Sequence, residues 1–417
     1  MARMLYDLSI RGYIAALKLA APWNKKAKAM LKGRKNVWIR YQTVFKKNTK
    51  KVVWFHCASL GEFEQGRTVI EAFKREFPQY FILVTFFSSS GYEVRKNYNH
   101  ADAVMYLPWD TAKNARAFIE LVKPRLAFFV KYEYWHHYLC ELEKLNAEVY
   151  SISSIFRSNQ LFFKPFGGFY RSFLNRFNYF FVQNEDSLRL LQSIGVENAS
   201  ISGDTRFDRV KEICANKKQI DIADEFKDGK PLMVIGSSWP SDIEILRPVI
   251  QSMTQELKFI IAPHEIGEKN IEGLMEMFGH ECIRFSQASG KVARNYRILI
   301  IDNIGMLSSL YQYGEFAWIG GALRRSLHNT LEAATYGMPV FFGADPSNAK
   351  FAEAKDLVAR GAAIEITTSE ELENHLQILL NNEPTRKEMA KKASTYVNEK
   401  SGATALIMEF LKSRSYA

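Results

Sequence analysis

The sequence predicts an α/β protein built from two tandem Rossmann-like domains with a deep interdomain cleft. Three observations carry that prediction. From residue 51 onward, short apolar runs rich in β-branched and aromatic residues alternate with amphipathic stretches; a polar, charged segment interrupts the rhythm in mid-chain; and the rhythm then restarts. Strand and helix in regular alternation imply parallel pairing with right-handed crossovers, so each half is a doubly wound sheet.

In chain order, the first set of runs is Val52 to Phe55, Phe81 to Thr85, Ala103 to Leu107, Leu126 to Val130, Val149 to Ile152 and Tyr179 to Val182. Helix-like segments stand between them at Gly66 to Glu76, Thr111 to Val122, His136 to Leu145 and Ser187 to Ile194. The charged stretch from Gly203 to Lys230 breaks the alternation. It resumes at Leu232 to Ile235, Lys258 to Ala262, Arg297 to Ile301, Phe316 to Ile319, Val340 to Phe342 and Ala363 to Ile366. Pro384 to Lys412 reads as helix, with Pro384 tolerated near its start and a break at Gly402. The expected boundaries are an N-terminal segment 1–35, a first domain 36–205, a linker 206–230 and a second domain 231–417 that ends in a closing helix. Facing domains of this kind bring the C-terminal ends of both sheets to one cleft, where a ligand is expected.

Composition bounds the function. A chain of 417 residues with 47% hydrophobic and 24% charged residues can bury two or three cores, which excludes disordered, collagenous and small disulfide-stapled classes. Fifty-six Lys and Arg against 45 Asp and Glu give a net charge of +11, which favours a polyanionic partner such as nucleic acid, anionic lipid or a phosphorylated substrate. The cysteines Cys57, Cys140, Cys214 and Cys282 are far apart and form no C-x-x-C pair, so a reducing compartment without structural zinc is expected. No apolar run approaches the ~18 residues of a membrane span. The expected setting is the cytoplasm.

The N-terminus stands apart. On a helical wheel Arg3, Asp7, Arg11 and Lys18 form one narrow polar stripe, while Leu5, Leu8, Ile10, Tyr13, Ile14, Leu17 and Leu19 cover most of the rest. Lys25, Lys26, Lys28, Lys32, Arg34 and Lys35 follow at once. Two readings fit: a helix lying in an anionic membrane interface, or a helix packed on its own protein with its charges solvated.

Candidate chemistry sits just past predicted strand ends. In His56-Cys57-Ala58-Ser59-Leu60-Gly61-Glu62, glycine permits a tight turn and the following helix offers free N–H groups. Glu62 suits a general base, or else a helix N-terminal carboxylate favoured by the macrodipole. Glu133, in Lys131-Tyr132-Glu133-Tyr134-Trp135, is either a second functional carboxylate among sugar-facing aromatics or a structurally satisfied one. In the second half Gly236-Ser237-Ser238 resembles a phosphate-accepting turn, with Asp242 and Glu244 in the helix that follows; it matches neither the dinucleotide nor the P-loop fingerprint. His264 ends the second strand there, aimed at a ligand or filling the strand edge. Gly320-Gly321-Ala322-Leu323-Arg324-Arg325-Ser326-Leu327-His328-Asn329-Thr330-Leu331-Glu332 combines a Gly-Gly strand end, two cations, a cap from Ser326 or Asn329, and a carboxylate. That set suits a nucleotide, with phosphate at the N–H groups and arginines and ribose on Glu332.

Several segments together resemble the 3-deoxy-D-manno-octulosonic acid (Kdo) transferases of lipopolysaccharide assembly, from about residue 1 to 412: HCASLGEFEQ, FVKYEYW, ISGDTRFD, GSSWPSDIE, APHE, DNIGMLSSLY and IGGALRRSLHNTLEAATYGMPVFFG. The resemblance implies a GT-B type glycosyltransferase, CMP-Kdo as donor, and a lipid A precursor as acceptor at the cytoplasmic face of the bacterial inner membrane, with the enzyme held there peripherally or monotopically. It implies Glu62 as catalytic base, with Ser59, Leu60, Gly61 and Glu133 on the acceptor side. Gly236, Ser237, His264, Gly320, Gly321, His328, Asn329 and Glu332 are implied around CMP. Lys131, Pro263 and Met306 depart from the family pattern, and Ser-Leu precedes His328 where the family has Gly-Gly. Arg324 or Arg325 is our candidate to replace the cation missing at Pro263.

A departing monophosphate can be stabilised by a helix N-terminus and cations, and no D-x-D stands at a strand end, so neither a metal nor another cofactor is expected. With a lipid acceptor in view, the membrane reading of the N-terminus gains a purpose. The competing expectations are another nucleotide-sugar enzyme of this fold, such as a sugar-nucleotide 2-epimerase, and a basic nucleic-acid-binding module; against the latter, no recognisable DNA or RNA module appears.

Overall fold

A computed structural model describes residues 2–253, 255–414 and 416. The chain forms two units, Met1–Arg209 with Ser401–Ala417, and Val210–Lys400, each built on a seven-stranded parallel sheet. In the first unit, β1 (Val52–Cys57), β2 (Phe81–Phe86), β3 (Ala103–Tyr106), β4 (Pro124–Val130), β5 (Glu148–Ser154), β6 (Tyr179–Val182) and β7 (Ala199–Ile201) lie in the order β3-β2-β1-β4-β5-β6-β7. In the second, β8 (Leu232–Ser238), β9 (Lys258–Pro263), β10 (Cys282–Arg284), β11 (Ile298–Ile300), β12 (Phe316–Ile319), β13 (Val340–Gly343) and β14 (Ala363–Ile366) run β10-β11-β9-β8-β12-β13-β14. Strand order reverses between β1 and β4 and between β8 and β12. In a doubly wound sheet those two places are where loops diverge and leave a crevice.

The strands read as continuous apolar runs because helices cover both faces of each sheet. All six residues of β1 are buried, and they alternate: Val52 and Trp54 enter one core layer, Val53, Phe55 and Cys57 the other. The helix after β1 spans Leu60–Glu76, six residues longer at its start than the sequence suggests. Gly66 is therefore not a helix start. A Cβ there would stand 2.9 Å from Cγ2 of Val130, so the glycine lets the helix lie close on β4.

Three parts of the expected domain plan are corrected. The segment 206–230 is no linker, because most of it lies in the helices Thr205–Ala215 and Asp221–Lys227, the latter burying Ala223 and Phe226. Just before it, Asp204 accepts from Gln65 Nε2 at 3.2 Å and from Arg206 N and Nε at 2.9 and 2.7 Å, and the Thr205 hydroxyl donates to the Gln65 carbonyl. The closing helix, Ala403–Ser413, belongs to the first unit rather than the second. Its apolar stripe of Ile407, Met408 and Leu411 completes the core layer that holds Phe55, Phe73 and Phe128. Gly402, at φ +116°, makes the turn into it, and the Asp208 carboxylate accepts from the N–H groups of Gly402 at 2.5 Å and Thr404 at 2.6 Å.

The third correction concerns residues 1–35, which are docked on the first unit rather than set apart from it. They form the helices Ala2–Ala20 and Lys25–Arg34, the second capped by Asn24. Tyr6 donates to Asp110 at 2.5 Å, and Asp7 pairs with His137 at 2.6 Å. Asp7 thus leaves the expected solvent-facing stripe, while Met4, Leu5, Leu8, Leu19 and Trp23 are exposed. Arg34 is buried: it donates to the carbonyls of Leu107 at 2.8 Å and Phe87 at 2.7 Å and lies 3.8 Å over the Trp109 ring. Burial pulls its guanidinium down to about 10. The arginine rivets this segment to the loops after β2 and β3.

Removing the cap on the last helix weakens the first unit. Asp208→Ala is expected to cost about 1 kcal/mol and to lower the thermal midpoint, with Asp208→Asn losing less because it keeps an accepting oxygen.

Candidate functional site

The first-unit site gathers at the reversal between β1 and β4. After β1, Ser59 takes an extended conformation and starts the helix Leu60–Glu76. Its hydroxyl donates to the Glu62 carboxylate instead of capping the helix, so Glu62 is held in the first turn beside the strand end. Leu60 packs against the core, and Gly61 is exposed and helical. A Cβ on Gly61 would meet only Ser59 Oγ, at 3.7 Å. The tight turn expected of Gly61 is absent, and the glycine instead leaves the helix start uncovered.

After β4, Lys131 adopts a left-handed conformation (φ +69°) and the chain turns inward, burying Glu133. Glu133 Oε2 lies 3.0 Å from His56 Nε2 and 2.7 Å from the Trp135 indole nitrogen. His56 Nδ1 is 2.8 Å from the Thr85 hydroxyl, which also accepts from Trp54 at 2.7 Å. One arrangement satisfies every group: Trp54 donates to Thr85, Thr85 to His56 Nδ1, and the His56 Nε2 proton and the Trp135 N–H both point at Glu133. This relay crosses β1, β2 and β4 and fixes the orientation of Trp135. Cys57 is buried at the end of β1. Burial first, then Glu62 and Glu133, push its thiol well above the ordinary range. The structure therefore gathers Ser59, Leu60, Gly61, Glu62 and Glu133, with His56, Thr85 and Trp135 as supporting residues that motif spacing alone does not single out.

The second-unit site gathers at the reversal between β8 and β12. β8 continues through Ser238, its register with β9 slipping between Gly236 and Ser238 while Ser237 turns to φ +53°. A Cβ on Gly236 would lie 2.0 Å from the Tyr311 hydroxyl, and one on Gly320 would lie 2.3 Å from the Ser237 carbonyl. Both glycines are demanded by close approach. Gly321 sits at φ +90° and donates to Asp242 at 3.0 Å. Asp242, fully buried, also accepts from Trp239 N at 2.8 Å and from the Trp318 indole at 3.3 Å. Desolvation raises its carboxyl. This residue, read from sequence only as part of a helix's first turn, clamps the Gly-Gly turn to the loop after β8.

Around that clamp runs a stack. Arg324 lies 4.1 Å over the Trp239 ring, Trp239 stacks on His264 at 4.4 Å, and His264 stacks on His328 at 4.6 Å. The Trp239 indole donates to His328 Nε2 at 3.2 Å, so the ring proton of His328 belongs on Nδ1. Burial, then His264, pull His328 down to about 4. Asn329, not Ser326, serves the next short helix: it accepts from Leu331 N at 3.1 Å and donates to Glu332 at 3.1 Å. Arg325 is exposed in a left-handed conformation (φ +57°), outside the stack. The hydroxyls of Ser238 and Thr330 are buried in this unit without a protein partner. Among the described residues, no three or more His, Cys, Asp and Glu side chains converge as a metal-holding group.

Residues 35–209 match the family described as 3-deoxy-D-manno-octulosonic-acid transferase (kdotransferase). Curated proteins of that name are 26% identical in Rickettsia bellii (80% of this chain, 81% of the relative), 26% in Aquifex aeolicus (80% and 87%) and 25% in Chlamydia trachomatis serovar D (89% and 88%). By fold, the chain is similar to UDP-GlcNAc 2-epimerase from Neisseria meningitidis (TM-score 0.60, 15% identity, 87% of this chain, 100% of that one) and to MurG from Acinetobacter baumannii (0.53, 14%, 87% and 99%).

The depressed His328 carries a pH signature. Between its ordinary value of 6.5 and about 4, the unfolded chain takes up a proton that the folded stack refuses. The stability tied to neutral His328 is therefore complete above the unfolded value and is lost as pH falls toward the folded one. In denaturant titrations run at neutral pH and again in mild acid, His328→Gln is expected to lose less stability than wild type.

Proposed function

From a chain related along four fifths or more of its length to 3-deoxy-D-manno-octulosonic acid transferases, we propose an inverting glycosyltransferase that moves Kdo from CMP-Kdo to a hydroxyl of a lipid A precursor. The observation that carries this reading is Glu62, held by Ser59 at the carboxyl edge of β1. A carboxylate so placed is suited to take a proton from an attacking sugar hydroxyl. The hydroxyl oxygen attacks the anomeric carbon of Kdo and CMP leaves from the opposite face. Positioning and electrostatics supply most of the rate for an oxocarbenium-like transition state.

Donor binding is assigned to the second unit. Gly236, Ser237, Gly320 and Gly321 lie at the ends of β8 and β12, where the sheet order reverses, and His264, His328, Asn329 and Glu332 border the same turns. Arg324, stacked on Trp239 beside the Pro263-His264 corner, is better placed than Arg325 to supply the cation that Pro263 lacks. Backbone N–H groups and that cation serve the departing monophosphate in a reaction that uses no metal.

The acceptor places the enzyme at the cytoplasmic face of the inner membrane as a peripheral or monotopic protein. No helix among the described residues is long and apolar enough to cross a membrane. Trp23, 87% exposed, and Leu19, 74% exposed, continue an apolar stripe through Met4, Leu5 and Leu8, and Lys25, Lys26, Lys28, Lys32 and Lys35 follow. Apolar insertion plus attraction to anionic lipid suits such a surface.

CMP release from CMP-Kdo in detergent with EDTA is expected only when a tetra-acylated lipid A precursor is present. Release abolished by EDTA and restored by Mg²⁺ would overturn the metal-free reaction. Glu62→Gln should lower kcat about 100-fold or more while CMP still binds, and near-normal kcat would remove Glu62 from the chemistry. Arg324→Ala should raise the donor KM more than Arg325→Ala; if neither changes it, the compensating-cation assignment fails.

A further inference from the structure

Two apolar cavities lie under the N-terminal helix on either side of Trp135. The larger, about 470 Å³, has Tyr6, Ile10, Tyr132, Leu161, Phe162 and Tyr170 in its wall. The smaller, about 230 Å³, is bounded by Ile10, Tyr13, Phe87, Trp109 and Trp135. Ile10 and Trp135 belong to both linings, so one isoleucine of the helix and one indole of the β4 loop divide a single aromatic trough. The divider is fixed: Trp135 donates to Glu133 and stacks on Phe87 at 4.8 Å. Asp110, the acidic residue in the lining, is fully engaged by Tyr6 and by the N–H groups of His137 and Tyr138.

We infer that this trough seats an acyl chain of the lipid acceptor, so that the protein, and not only the bilayer, holds the acceptor's tail. The inference rests on the lipid-acceptor reading above and adds a ligand site to it. Three observations select an acyl chain. Apart from Asp110, Asn159 and Gln160 the lining is aliphatic and aromatic, and its size falls within the range of small-molecule sites. The helix that lines the trough with Tyr6 and Ile10 carries Met4, Leu5 and Leu8 on its exposed side, so one helix presents apolar residues both outward and to the cavities. The polarity of the site matches a lipid. Tyr132 lines the trough and is within electrostatic reach of Glu62, and its ring has Lys131 Nζ at 5.4 Å and Arg157 Cζ at 5.9 Å. Lys131 and Arg157 thus stand by the Tyr132 wall, where an anionic headgroup would lie, and Trp135, Phe162 and Tyr170 line the apolar remainder.

Direct labelling tests this without relying on turnover. A lysophosphatidylglycerol whose acyl chain carries a diazirine, used below its micelle concentration with the full-length protein, is expected to crosslink to residues 132–135 and 159–173. Leu161→Glu, which puts a charge on a wall residue that is already 44% exposed, should reduce that labelling at least tenfold with an unchanged thermal midpoint. Ile10→Trp, which fills the trough from the helix side, should do the same and serves if the first variant folds poorly. Labelling confined to Met4, Leu5, Leu8, Leu19 and Trp23, or insensitive to both variants, overturns the inference. The two readings fail separately. Kdo transfer to a tetra-acylated acceptor with labelling only on the outer stripe would keep the transferase and remove the chain seat. Labelling in the trough without Kdo transfer would keep the seat and remove the transferase.

Discussion

A carboxylate drawn into the interior at the end of a strand must find hydrogen-bond donors there, or it turns the loop back out to water. Glu133 meets that constraint with His56 and Trp135, and much of the first unit's working surface follows from it. His56 in turn engages Thr85, so the ends of β1, β2 and β4 are tied by side chains where the sheet's connections part company. Ser59, whose hydroxyl holds Glu62, stands only three residues after His56. The indole that divides the aromatic trough is held by Glu133. Of the two readings its sequence context leaves open, these hydrogen bonds show the structurally satisfied one.

The second unit answers the same topological problem with Asp242. Here the donors are two backbone N–H groups and an indole, and the object held is the Gly-Gly turn rather than the loop after β4. In both units a parallel sheet opens a crevice at its reversal, and a buried carboxylate keeps the flanking loops from collapsing into it or swinging away.

Much of this was legible in the sequence. Tyr179–Val182, Phe316–Ile319 and Ala363–Ile366 match their apolar runs residue for residue, since strands covered on both faces leave an unbroken signal. The strands β7 (Ala-Ser-Ile) and β10 (Cys-Ile-Arg) were not legible, because a three-residue segment that includes a polar residue leaves no apolar run, whereas the equally short β11 is wholly apolar. The start of the helix Leu60–Glu76 was hidden by Gly61 and Gly66, which imitate turn residues but serve exposure and close packing. Local spacing could not reveal the stack of Trp239, His264, Arg324 and His328, whose members come from three separate loops, nor the burial of Arg34, whose surroundings of lysines give it the look of one more surface cation. The final helix misled for a similar reason: its stripe of Ile407, Met408 and Leu411 announces that it packs somewhere, and nothing nearby in the chain says on which sheet.

That helix has a consequence for biosynthesis. During translation residues 1–209 emerge first, yet one layer of their core stays open until residues 403–413 arrive. At roughly 5–20 residues per second, the intervening 191 residues of Val210–Lys400 keep the nascent first unit waiting for roughly 10–40 s. Through that interval an apolar slot lined by Phe181, Tyr150 and their neighbours faces the cytosol beside the ribosome. The ordering favours a protein whose second unit folds promptly on its own, and it makes the last turn of the chain the step that closes the first domain.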